Sequence, residues 1–407
     1  MPHSFPMRYD LQAMDYDVIA VGAGPAGSTL SRLLARSGAR VLLLDRAAFP
    51  RDKPCGGGVA LRAASCLDLD LSPVTEQTIY AVRVTYRLGK AFRRQYPEPL
   101  AYMTQRRRLD AFLAEQAVAA GVQFHDSEPV RAVEVSGRRI TVRTEKASYT
   151  ARVLAGADGV NGIVGRNTGA APRADLGVAL EGTVPLPSFP KEGRQRWQGT
   201  LALDLGGPPG GYGWVFPKSD HLNVGVGAWR WFAPHLRERL AALCDRYGFP
   251  PDALRDVRGH HVVVRRPGSP IVRGPVLTVG DAAGLIDPLS GEGIHTAFQS
   301  ARLATQAIEA YLAESASGGD LSPYQAAVDE LIMPELIASR KLQDIFHYSP
   351  GPYTFVLQHS RRFWRLMCGI IRGELTYTGF LERLGPLRPL VDAWDIVARK
   401  SRYPSGA

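Results

Sequence analysis

A glycine-rich turn between a short strand and a helix constrains this sequence more than any other feature. Residues 17–21 form a short apolar run, and the turn that follows, residues 22–27, reads GAGPAG. Leucines at helical spacing predict a helix over 28–37, and a second buried strand follows at 41–44, closed by Asp45. This order of strand, turn, helix and strand indicates the βαβ unit of a dinucleotide-binding fold.

Each glycine of the turn has a physical task in such a unit. Gly22 permits the tight turn, Gly24 lets a pyrophosphate approach the backbone, and Gly27 lets the helix pack on the strand. The N-terminus of the helix offers unpaired N–H groups to the phosphates. Asp45 stands 18 residues after the last glycine, where a carboxylate would accept hydrogen bonds from ribose hydroxyls. The cofactor residues predicted from this unit are Gly22, Gly24, Pro25, Ala26, Gly27, Asp45 and Arg46.

Length and composition indicate a globular protein of two or three domains. The chain has 407 residues, 45% hydrophobic and 22% charged, which excludes disordered, collagen-like and disulfide-scaffold proteins. The four cysteines are widely spread, without a CxxC pair or zinc spacing, so we expect no metal. The formal charge of +10 is not concentrated in a run of like charges, so we expect no nucleic acid partner. An anionic substrate or a membrane surface fits this charge.

The sequence predicts neither a membrane span nor a secretory signal. It has no apolar stretch of about 18 residues, and its first 15 residues lack an apolar core. We therefore expect residues 1–14 to be a flexible extension and the protein to be cytoplasmic. The segment 348–388 mixes arginines with bulky apolar residues, a composition typical either of peripheral contact with the inner face of a membrane or of helices packed over a substrate site.

Two later segments repeat the theme of a strand that ends in glycine and aspartate. One is residues 153–159, which end in Asp158–Gly159, and the other is residues 276–284, which contain Gly280–Asp281. A buried strand that ends in this way can aim a carboxylate at a ribose or ribityl hydroxyl. The second segment continues into a glycine-rich turn, 287–294, and a helix whose N-terminal N–H groups can face a negatively charged ring.

Together these blocks resemble the FAD-dependent oxidoreductases of the para-hydroxybenzoate hydroxylase type. Arg106, followed by Leu109–Asp110, is similar to the arginine motif of that family, and the four blocks occur in the family's order between residue 17 and about residue 305. Where the family usually has serine after the Asp-Gly pair, this chain has Asn161–Gly162, which weakens the inference of nicotinamide binding. Only one dinucleotide fingerprint is present, so the electron donor is open between NAD(P)H, a small electron-transfer protein and a quinol, the first two being favoured. The resemblance implies FAD as cofactor and adds to the binding residues Arg106, Val130, Asp158, Gly280, Asp281, Pro288, Gly291, Gly293 and Ile294.

Two further blocks resemble the geranylgeranyl reductase branch of this superfamily. The first is residues 54–58, PCGGG, and the second is residues 212–217, YGWVFP, followed after seven residues by Gly225–Val226–Gly227. The resemblance implies that reduced FAD saturates carbon–carbon double bonds of a polyprenyl chain carried by a diphosphate, a quinone or a lipid. It implies cofactor contacts for Cys55, Gly56, Gly57 and Gly58, and substrate contacts for Tyr212, Trp214, Phe216, Pro217, Gly225 and Gly227.

The residues of the second block suit such a reaction. Tyr212, Trp214 and Phe216 alternate, so on a strand they share one face, as an apolar wall beside the flavin or as ordinary core. An isolated alkene must receive a hydride from flavin N5 and a proton, and an aromatic face can stabilise the positive charge that develops between the two events. We expect Tyr212 and Trp214 to hold the chain, and Tyr212, Cys55 or an ordered water to donate the proton.

Several single residues have two interpretations. Cys55 borders the flavin or is a small buried residue, and a dithiol with Cys66 is disfavoured by the eleven positions between them. His295 and His221 are candidate acids or structural histidines. Arg106 is expected at the FAD, whereas the next two arginines are expected to be solvated at the start of a helix predicted over 108–120.

Two other functions are compatible with the same scaffold. One is a flavin-dependent monooxygenase or halogenase acting on an aromatic or apolar small molecule, in which reduced flavin meets oxygen instead of an alkene. The other is an electron-transfer flavoprotein, for which the cysteines offer no iron–sulfur spacing.

The expected fold is α/β, a glutathione-reductase-like FAD-binding domain with an inserted, mainly antiparallel substrate sheet and a helical C-terminal cap. Alternating apolar residues at 81–87, 140–144 and through much of 199–227 indicate antiparallel strands. The predicted division assigns 15–78, 100–175 and 270–315 to the FAD-binding domain, 79–99 and 176–269 to the substrate sheet, and 316–407 to the helical region.

Overall fold

The first strand, turn and helix form the βαβ unit that the sequence predicts. The computed structural model describes residues 15–186, 191–250, 252–314, 319–385, 389 and 392–393, so the predicted extension at 1–14 lies outside the described residues. Strand β1 (Tyr16–Val21) leads into α1 (Pro25–Arg36), and β2 (Val41–Leu44) pairs with β1 in parallel. Gly38 has a φ of +89°, the left-handed conformation in which glycine commonly follows a helix end.

Further strands and helices extend this unit along the described chain. The strands are β3 (Gly58–Ala60), β4 (Gln77–Ile79), β5 (Ala81–Tyr86), β6 (Phe92–Gln95), β7 (Ala101–Met103), β8 (Gln123–His125), β9 (Val130–Ser136), β10 (Arg139–Thr144), β11 (Ser148–Gly156), β12 (Ala174–Pro185), β13 (Thr200–Leu205), β14 (Gly213–Pro217), β15 (His221–Trp229), β16 (Arg255–Arg265), β17 (Val272–Arg273) and β18 (Val276–Thr278). The helices are α2 (Leu61–Ala64), α3 (Arg106–Ala119), α4 (Val164–Thr168), α5 (Lys191–Gln195), α6 (Leu236–Tyr247), α7 (Ile294–Ala313), α8 (Ser322–Leu331), α9 (Met333–Tyr348), α10 (Pro350–His359), α11 (Arg361–Arg372) and α12 (Tyr377–Arg383).

The first sheet brings the glycine-rich turn and the two later glycine–aspartate segments to one edge. Its main path is β17-β18-β11-β1-β2-β8, with β10 and β9 added beside β11. Strands β18, β11, β1, β2 and β8 run parallel, and Val21 lies in register with both Gly156 and Leu44. The carboxyl ends of these strands therefore meet, which is where ligands bind in open parallel sheets.

The second sheet contains the aromatic strand. Its order is β16-β12-β15-β14-β13-β5-β6, and its neighbouring strands are antiparallel except for β13 and β5, which are parallel. A separate three-stranded sheet, β3-β7-β4, was not foreseen from the sequence. Ile79, the last residue of β4, pairs with this small sheet instead of with the substrate sheet, to which the predicted division assigns it. The division as a whole stays a prediction.

Helices cover the sheets on the faces where apolar side chains lie. Helices α1 and α7 pack together on the first sheet, in a cluster that contains Leu30, Leu43 and Ile308. Helix α6 covers the face of the second sheet that carries Val215 and neighbouring valines. Helices α10 and α11 contact its other face near β5 and β13, in the cluster that includes Leu357, Trp364 and the partly buried Phe216. None of the described helices is both long and apolar enough to span a membrane.

Replacing Leu30 by alanine is expected to destabilise the protein, because this side chain has no exposed surface and lies in the cluster under α1. The expected loss is about 2–5 kcal/mol, measured as a lower thermal unfolding temperature. Leu33→Ala on the same helix is the control, since Leu33 is only partly buried. Equal shifts for the two variants would contradict the role of Leu30 in the core.

Candidate active site: a cofactor cleft beside an aromatic strand

A cleft of about 440 Å³ lies at the carboxyl edge of the first sheet. It is bordered by the glycine-rich turn, the segment before Cys55, the start of α7 and residues of β16. Most of the predicted cofactor residues line it, namely Gly22, Gly24, Pro25, Ala26, Asp45, Arg46, Cys55, Arg106, Val130, Asp158, Asp281, Gly291, Gly293 and Ile294. The predicted residues outside its lining are Gly27, Gly56, Gly57, Gly58, Gly280 and Pro288.

Two glycines of the turn have no room for a side chain, and a third is open. A Cβ on Gly22 would lie 2.3 Å from the carbonyl oxygen of Ala157, and Gly22 has a φ of +102°. A Cβ on Gly27 would lie 1.9 Å from the carbonyl oxygen of Gly22, so Gly27 packs the helix against the turn. A Cβ on Gly24 would meet only arginine side chains, at 3.6 Å or more, which leaves the backbone at Gly24 open to the cleft.

Two helix N-termini point their unpaired N–H groups toward the cleft. Helix α1 starts at Pro25 and the 20-residue helix α7 starts at Ile294, and both of these residues line the cleft. Neither helix has a side-chain cap or an acidic residue in its first turn. Such N-termini carry a partial positive charge and bind anionic groups.

Three carboxylates stand at the strand ends, as the sequence predicts. Asp45 accepts hydrogen bonds from the N–H groups of Ala23 at 2.8 Å and Ala47 at 2.9 Å. Oδ2 of Asp158 accepts from two N–H groups of the following turn, at 2.7 and 2.9 Å. Its Oδ1 is buried and has no hydrogen-bond partner among the described residues, and burial raises the pKa of this carboxyl. The orphaned oxygen of Asp158 is thus a ready acceptor for a ligand hydroxyl.

The third carboxylate, Asp281, is neutralised by a residue that sequence reasoning missed. Its Oδ2 lies 2.9 Å from Nζ of Lys53. Burial alone would raise the pKa of Asp281, but the Lys53 ammonium and the nearby Arg106 guanidinium hold it below its usual value. Lys53 precedes the PCGGG block by one residue, and its position beside this block was the available signal.

Arg106 is held by a network at the base of the cleft. Its Nε and Nη2 each donate to Asp110, both at 2.8 Å. Arg51, also missed from the sequence, lies 3.0 Å from Asp110 and 3.5 Å from Asp45. The two arginines therefore share Asp110, and Arg51 also reaches Asp45, so both guanidinium groups stay fixed beside the open backbone of Gly24. The two arginines after Arg106 are exposed, as expected.

The PCGGG segment joins the cleft to the second sheet. Cys55 lines the cleft, and a Cβ on the adjacent Gly56 would lie 2.8 Å from the ring of Phe216. Gly57 has a φ of +64°, and a Cβ there would lie 2.0 Å from the carbonyl oxygen of Thr104. Gly56 and Gly57 thus bring the backbone into direct contact with the aromatic strand and with the residue after β7.

A buried lysine, also missed from the sequence, is hydrogen-bonded to the backbone of this segment. Nζ of Lys218, the residue after β14, donates to the carbonyl oxygens of Gly56 at 2.7 Å and Gly57 at 3.1 Å. Its side chain is 2% exposed, and burial lowers its pKa to about 8, although the nearby Cys55, Glu76 and Glu181 oppose that shift. The ammonium therefore pairs with two carbonyl groups instead of with water.

The three aromatic side chains form one row. The ring centroids of Tyr212 and Trp214 are 6.0 Å apart, and those of Trp214 and Phe216 are 6.2 Å apart. Trp214 lies over Gly225, where a Cβ would be 2.1 Å from its ring, whereas a Cβ on Gly227 would be 3.8 Å away. Gly225 therefore makes room for the indole, whereas a side chain at Gly227 would make only an ordinary contact with it. The row does not line the cleft itself; it meets the cleft through Gly56 and Cys55.

Hydrogen bonds position two members of the row. The Tyr212 hydroxyl donates to the carbonyl oxygen of Ser290 in the turn before α7, and the Trp214 Nε1–H donates to Oδ1 of Asn223 at 2.7 Å. Burial raises the pKa of Tyr212, so its hydroxyl stays protonated and engaged with the turn.

Neither histidine singled out in the sequence lines the cleft, whereas His260 does. His295 is absent from the cleft lining, and burial lowers its pKa to about 4. His221 bonds with Asp220 at 2.7 Å, away from the cleft. His260 does line the cleft, with a buried Nδ1 that has no partner among the described residues, and burial lowers its pKa to about 4. It stands in a strand that carries no sequence motif. Within the described ranges, no cluster of histidine, cysteine and carboxylate side chains could hold a metal ion.

The chain is similar to known flavoproteins in sequence and in fold. The FAD binding domain family matches residues 15–186. The chain is 30% identical over 359 residues to a chloroplastic geranylgeranyl diphosphate reductase of Oryza sativa subsp. japonica, covering 82% of this chain and 75% of that protein. It is 30% identical over 323 residues to a menaquinone reductase of Mycobacterium tuberculosis, covering 72% and 76%. The structure of a geranylgeranyl bacteriochlorophyll reductase-like protein from Thermoplasma acidophilum matches with a TM-score of 0.68 at 25% identity, over 81% of this chain and 87% of that one.

The fold and the cofactor motifs therefore define an FAD-dependent oxidoreductase. The open backbone at Gly24, the two helix N-termini and the orphaned oxygen of Asp158 fit FAD in the cleft. The chain belongs to the geranylgeranyl reductase family, which confirms the resemblance of its motifs.

Two glycine substitutions separate folding from cofactor binding. Gly27→Ala is expected to lower both thermal stability and FAD content, because its Cβ would collide with a backbone carbonyl. Gly24→Ala is expected to leave the stability of the cofactor-free protein unchanged but to lower FAD affinity by about tenfold or more, because the methyl group occupies the open approach. Thermal unfolding of each variant with and without FAD measures its stability, and FAD titration measures its affinity for the cofactor. Unchanged FAD affinity in Gly24→Ala would contradict the placement of the phosphates.

Proposed function

We propose that this enzyme saturates carbon–carbon double bonds of a polyprenyl chain. The observation that carries the proposal is the link between the cofactor cleft and the aromatic row: Cys55 lines the cleft, and the adjacent Gly56 packs against Phe216 of the row. A ligand in the cleft and an apolar chain on the row would meet at this contact. The relatives named as reductases of geranylgeranyl diphosphate and of menaquinone support a prenyl substrate.

The chain's own residues would hold FAD by complementary charge and shape. The N-termini of α1 and α7 and the guanidinium groups of Arg51 and Arg106 face the negatively charged parts of a dinucleotide. Asp45, Asp158 and Asp281 offer acceptors to hydroxyls. Bound FAD, once reduced, supplies the hydride for the reaction.

The aromatic row would bind the prenyl chain and stabilise charge on it. An isolated alkene has no carbonyl group to polarise, so positive charge develops at its more substituted carbon as the alkene is reduced. A desolvated aromatic face stabilises such charge by about 1–2 kcal/mol. We assign this role to Trp214, with Tyr212, Phe216, Pro217 and Gly225 shaping the groove.

Tyr212 is better suited to position the turn before α7 than to donate a proton. Its hydroxyl donates to the carbonyl oxygen of Ser290, and protonating a substrate would require that bond to break. Cys55 lies closer to the cofactor cleft, where it borders the junction with the row.

The reductase relatives and the positive charge of the chain suggest which group carries the prenyl chain. Candidate carriers of the prenyl chain are a diphosphate, a quinone and a lipid.

The electron donor stays a prediction, either NAD(P)H or a small electron-transfer protein. The expected peripheral membrane contact also stays a prediction. The candidate residues for this contact are Phe355 on α10, which is 63% exposed, and the exposed Arg361, Arg362 and Arg365 on α11.

An anaerobic single turnover tests the proposed function. The holoenzyme is reduced with dithionite, geranylgeranyl diphosphate is added, and flavin absorbance and product mass are followed. We expect reoxidation of the flavin together with a mass gain of about two daltons per saturated bond, since each addition of hydride and proton adds two hydrogens. Menaquinone with an unsaturated tail is the second acceptor, and its product is weighed after the ring has been reoxidised to the quinone, because reduction of the ring to the quinol also adds about two daltons.

The same experiment in air separates the alternative. If neither prenyl compound reoxidises the flavin, but oxygen does so and an aromatic substrate becomes hydroxylated or halogenated, the monooxygenase or halogenase function replaces the proposal.

Gly225→Ala tests the role of the indole. Its Cβ would overlap the Trp214 ring, so the ring must move, and a displacement of about 1 Å can lower a rate about 100-fold. We expect prenyl-dependent reoxidation to fall by about tenfold or more while FAD content is kept. Gly227→Ala is the matched control, with a Cβ at ordinary contact distance, and is expected to stay within about twofold of wild type. Equal rates for both variants would contradict the role of Trp214.

A further inference from the structure

A buried glutamate, Glu181, stands at the junction between the cofactor cleft and the aromatic row. It lies on β12 and is 6% exposed. Its Oε1 accepts a hydrogen bond from the backbone N–H of Cys55 at 2.6 Å. Sequence reasoning missed this residue, because nothing in the local pattern around residue 181 marks a site.

Sheet register places Glu181 on the same face as the aromatic row. Trp214 pairs with Gly225, and Gly225 pairs with Glu181. Residues directly opposite each other on neighbouring strands point to the same side. Because Gly225 has no side chain, the indole covers the intervening strand toward Glu181. The carboxyl group therefore borders both Cys55 and the edge of the row.

One oxygen of this carboxyl group has no assigned partner. Oε2 is buried and makes no hydrogen bond of good geometry with any described residue, although the Asn223 side-chain amide stands near enough to the carboxyl group to lower its pKa. A buried carboxyl oxygen without a partner is costly as an anion and is accommodated better as a protonated group whose O–H can face a ligand. The fold thus keeps a carboxyl group, with one oxygen anchored and the other free, at the junction.

The charges around Glu181 do not cancel its burial. Burial raises its pKa, while the Cys55 N–H, the Asn223 amide and the positive charges of Lys218 and Arg106 oppose that shift only in part. Lys218 is itself engaged with two carbonyl oxygens, and Arg106 with Asp110. Arg258, the register neighbour of Glu181 on β16, is exposed.

We propose that the Glu181 carboxyl group donates the proton used in the reduction of the alkene. This inference rests on the proposed function. The O–H bond at Oε2 breaks as one new C–H bond forms at the less substituted carbon, which leaves positive charge at the more substituted carbon and Glu181 as a carboxylate. The hydride from reduced FAD would then form the second C–H bond at the more substituted carbon. A proton from solvent restores the acid before the next turnover, so no reagent is needed beyond the donor that reduces FAD.

The test compares Glu181→Gln with Asp204→Asn. Glutamine keeps an acceptor for the Cys55 N–H but carries no acidic proton. Asp204 is the matched control because it is also a buried carboxyl group of the second sheet with a pKa raised by burial. It accepts its hydrogen bonds from Thr85 and Leu88, whereas Glu181 accepts from Cys55, which lines the cleft.

In Glu181→Gln we expect FAD content, dithionite reduction and reoxidation by oxygen to stay within about twofold of wild type. Anaerobic reoxidation by geranylgeranyl diphosphate should slow by about 100-fold or more, the usual contribution of a general acid. Asp204→Asn should keep the wild-type rate. Independently of turnover, the infrared spectrum of the resting protein should contain a protonated-carboxyl band that Glu181→Gln lacks.

Each result bears on one of the two proposals. A wild-type prenyl-dependent rate in Glu181→Gln, or an infrared spectrum unchanged by the substitution, overturns the assignment of Glu181 and leaves the proposed function standing. A wild-type enzyme that no prenyl compound reoxidises overturns the proposed function and this inference with it. If Glu181→Gln fails to hold FAD, Glu181→Asp is measured instead. A folded, FAD-bound Glu181→Asp that lacks the infrared band but reduces the prenyl substrate at the wild-type rate overturns the assignment.

Discussion

The close approach of the Cys55–Gly58 backbone to the aromatic strand is the constraint on which the candidate active site depends. Gly56 meets the ring of Phe216, and Gly57 meets the carbonyl oxygen of Thr104, at distances that exclude a side chain. The Lys218 ammonium fixes this contact from below by bonding to both glycine carbonyls. Because Cys55 borders the cofactor cleft, the contact turns two neighbouring features, a dinucleotide cleft and an apolar row, into one site.

The cleft owes its character to the carboxyl ends of parallel strands. Gly22, Asp158 and Asp281 follow three strands that lie side by side, so one edge of the sheet collects a tight turn and two carboxylates. Arg51, Arg106 and Lys53 balance the negative charge there through fixed ion pairs. Charges held in this way need no rearrangement when a dinucleotide binds, which favours a preorganised cofactor site.

The sequence predicted the parts of the fold that local pattern determines. The strand at 41–44 is observed with the same bounds, and the helix predicted over 108–120 is observed at 106–119, because apolar periodicity decides such elements. The glycine–aspartate motifs located most of the cleft. Family resemblance, rather than periodicity, supplied FAD and the prenyl substrate class. Residues that matter only through tertiary pairing could not be predicted: His260, Lys218 and Glu181 acquire their surroundings from distant strands and loops. The aromatic alternation of 212–216 indicated a shared face, but not that its contact with the cleft passes through Gly56, because that contact depends on sheet order.

A crystal structure of the oxidised enzyme with FAD and geranylgeranyl diphosphate, in which no reduction takes place, tests most directly whether the cofactor cleft and the aromatic row form one site joined at Cys55. We predict FAD along the glycine-rich turn, its flavin ring at Cys55, and the prenyl chain against Trp214 within contact distance of that ring. A prenyl chain bound away from the row, or a flavin ring separated from it by protein, would contradict a single site.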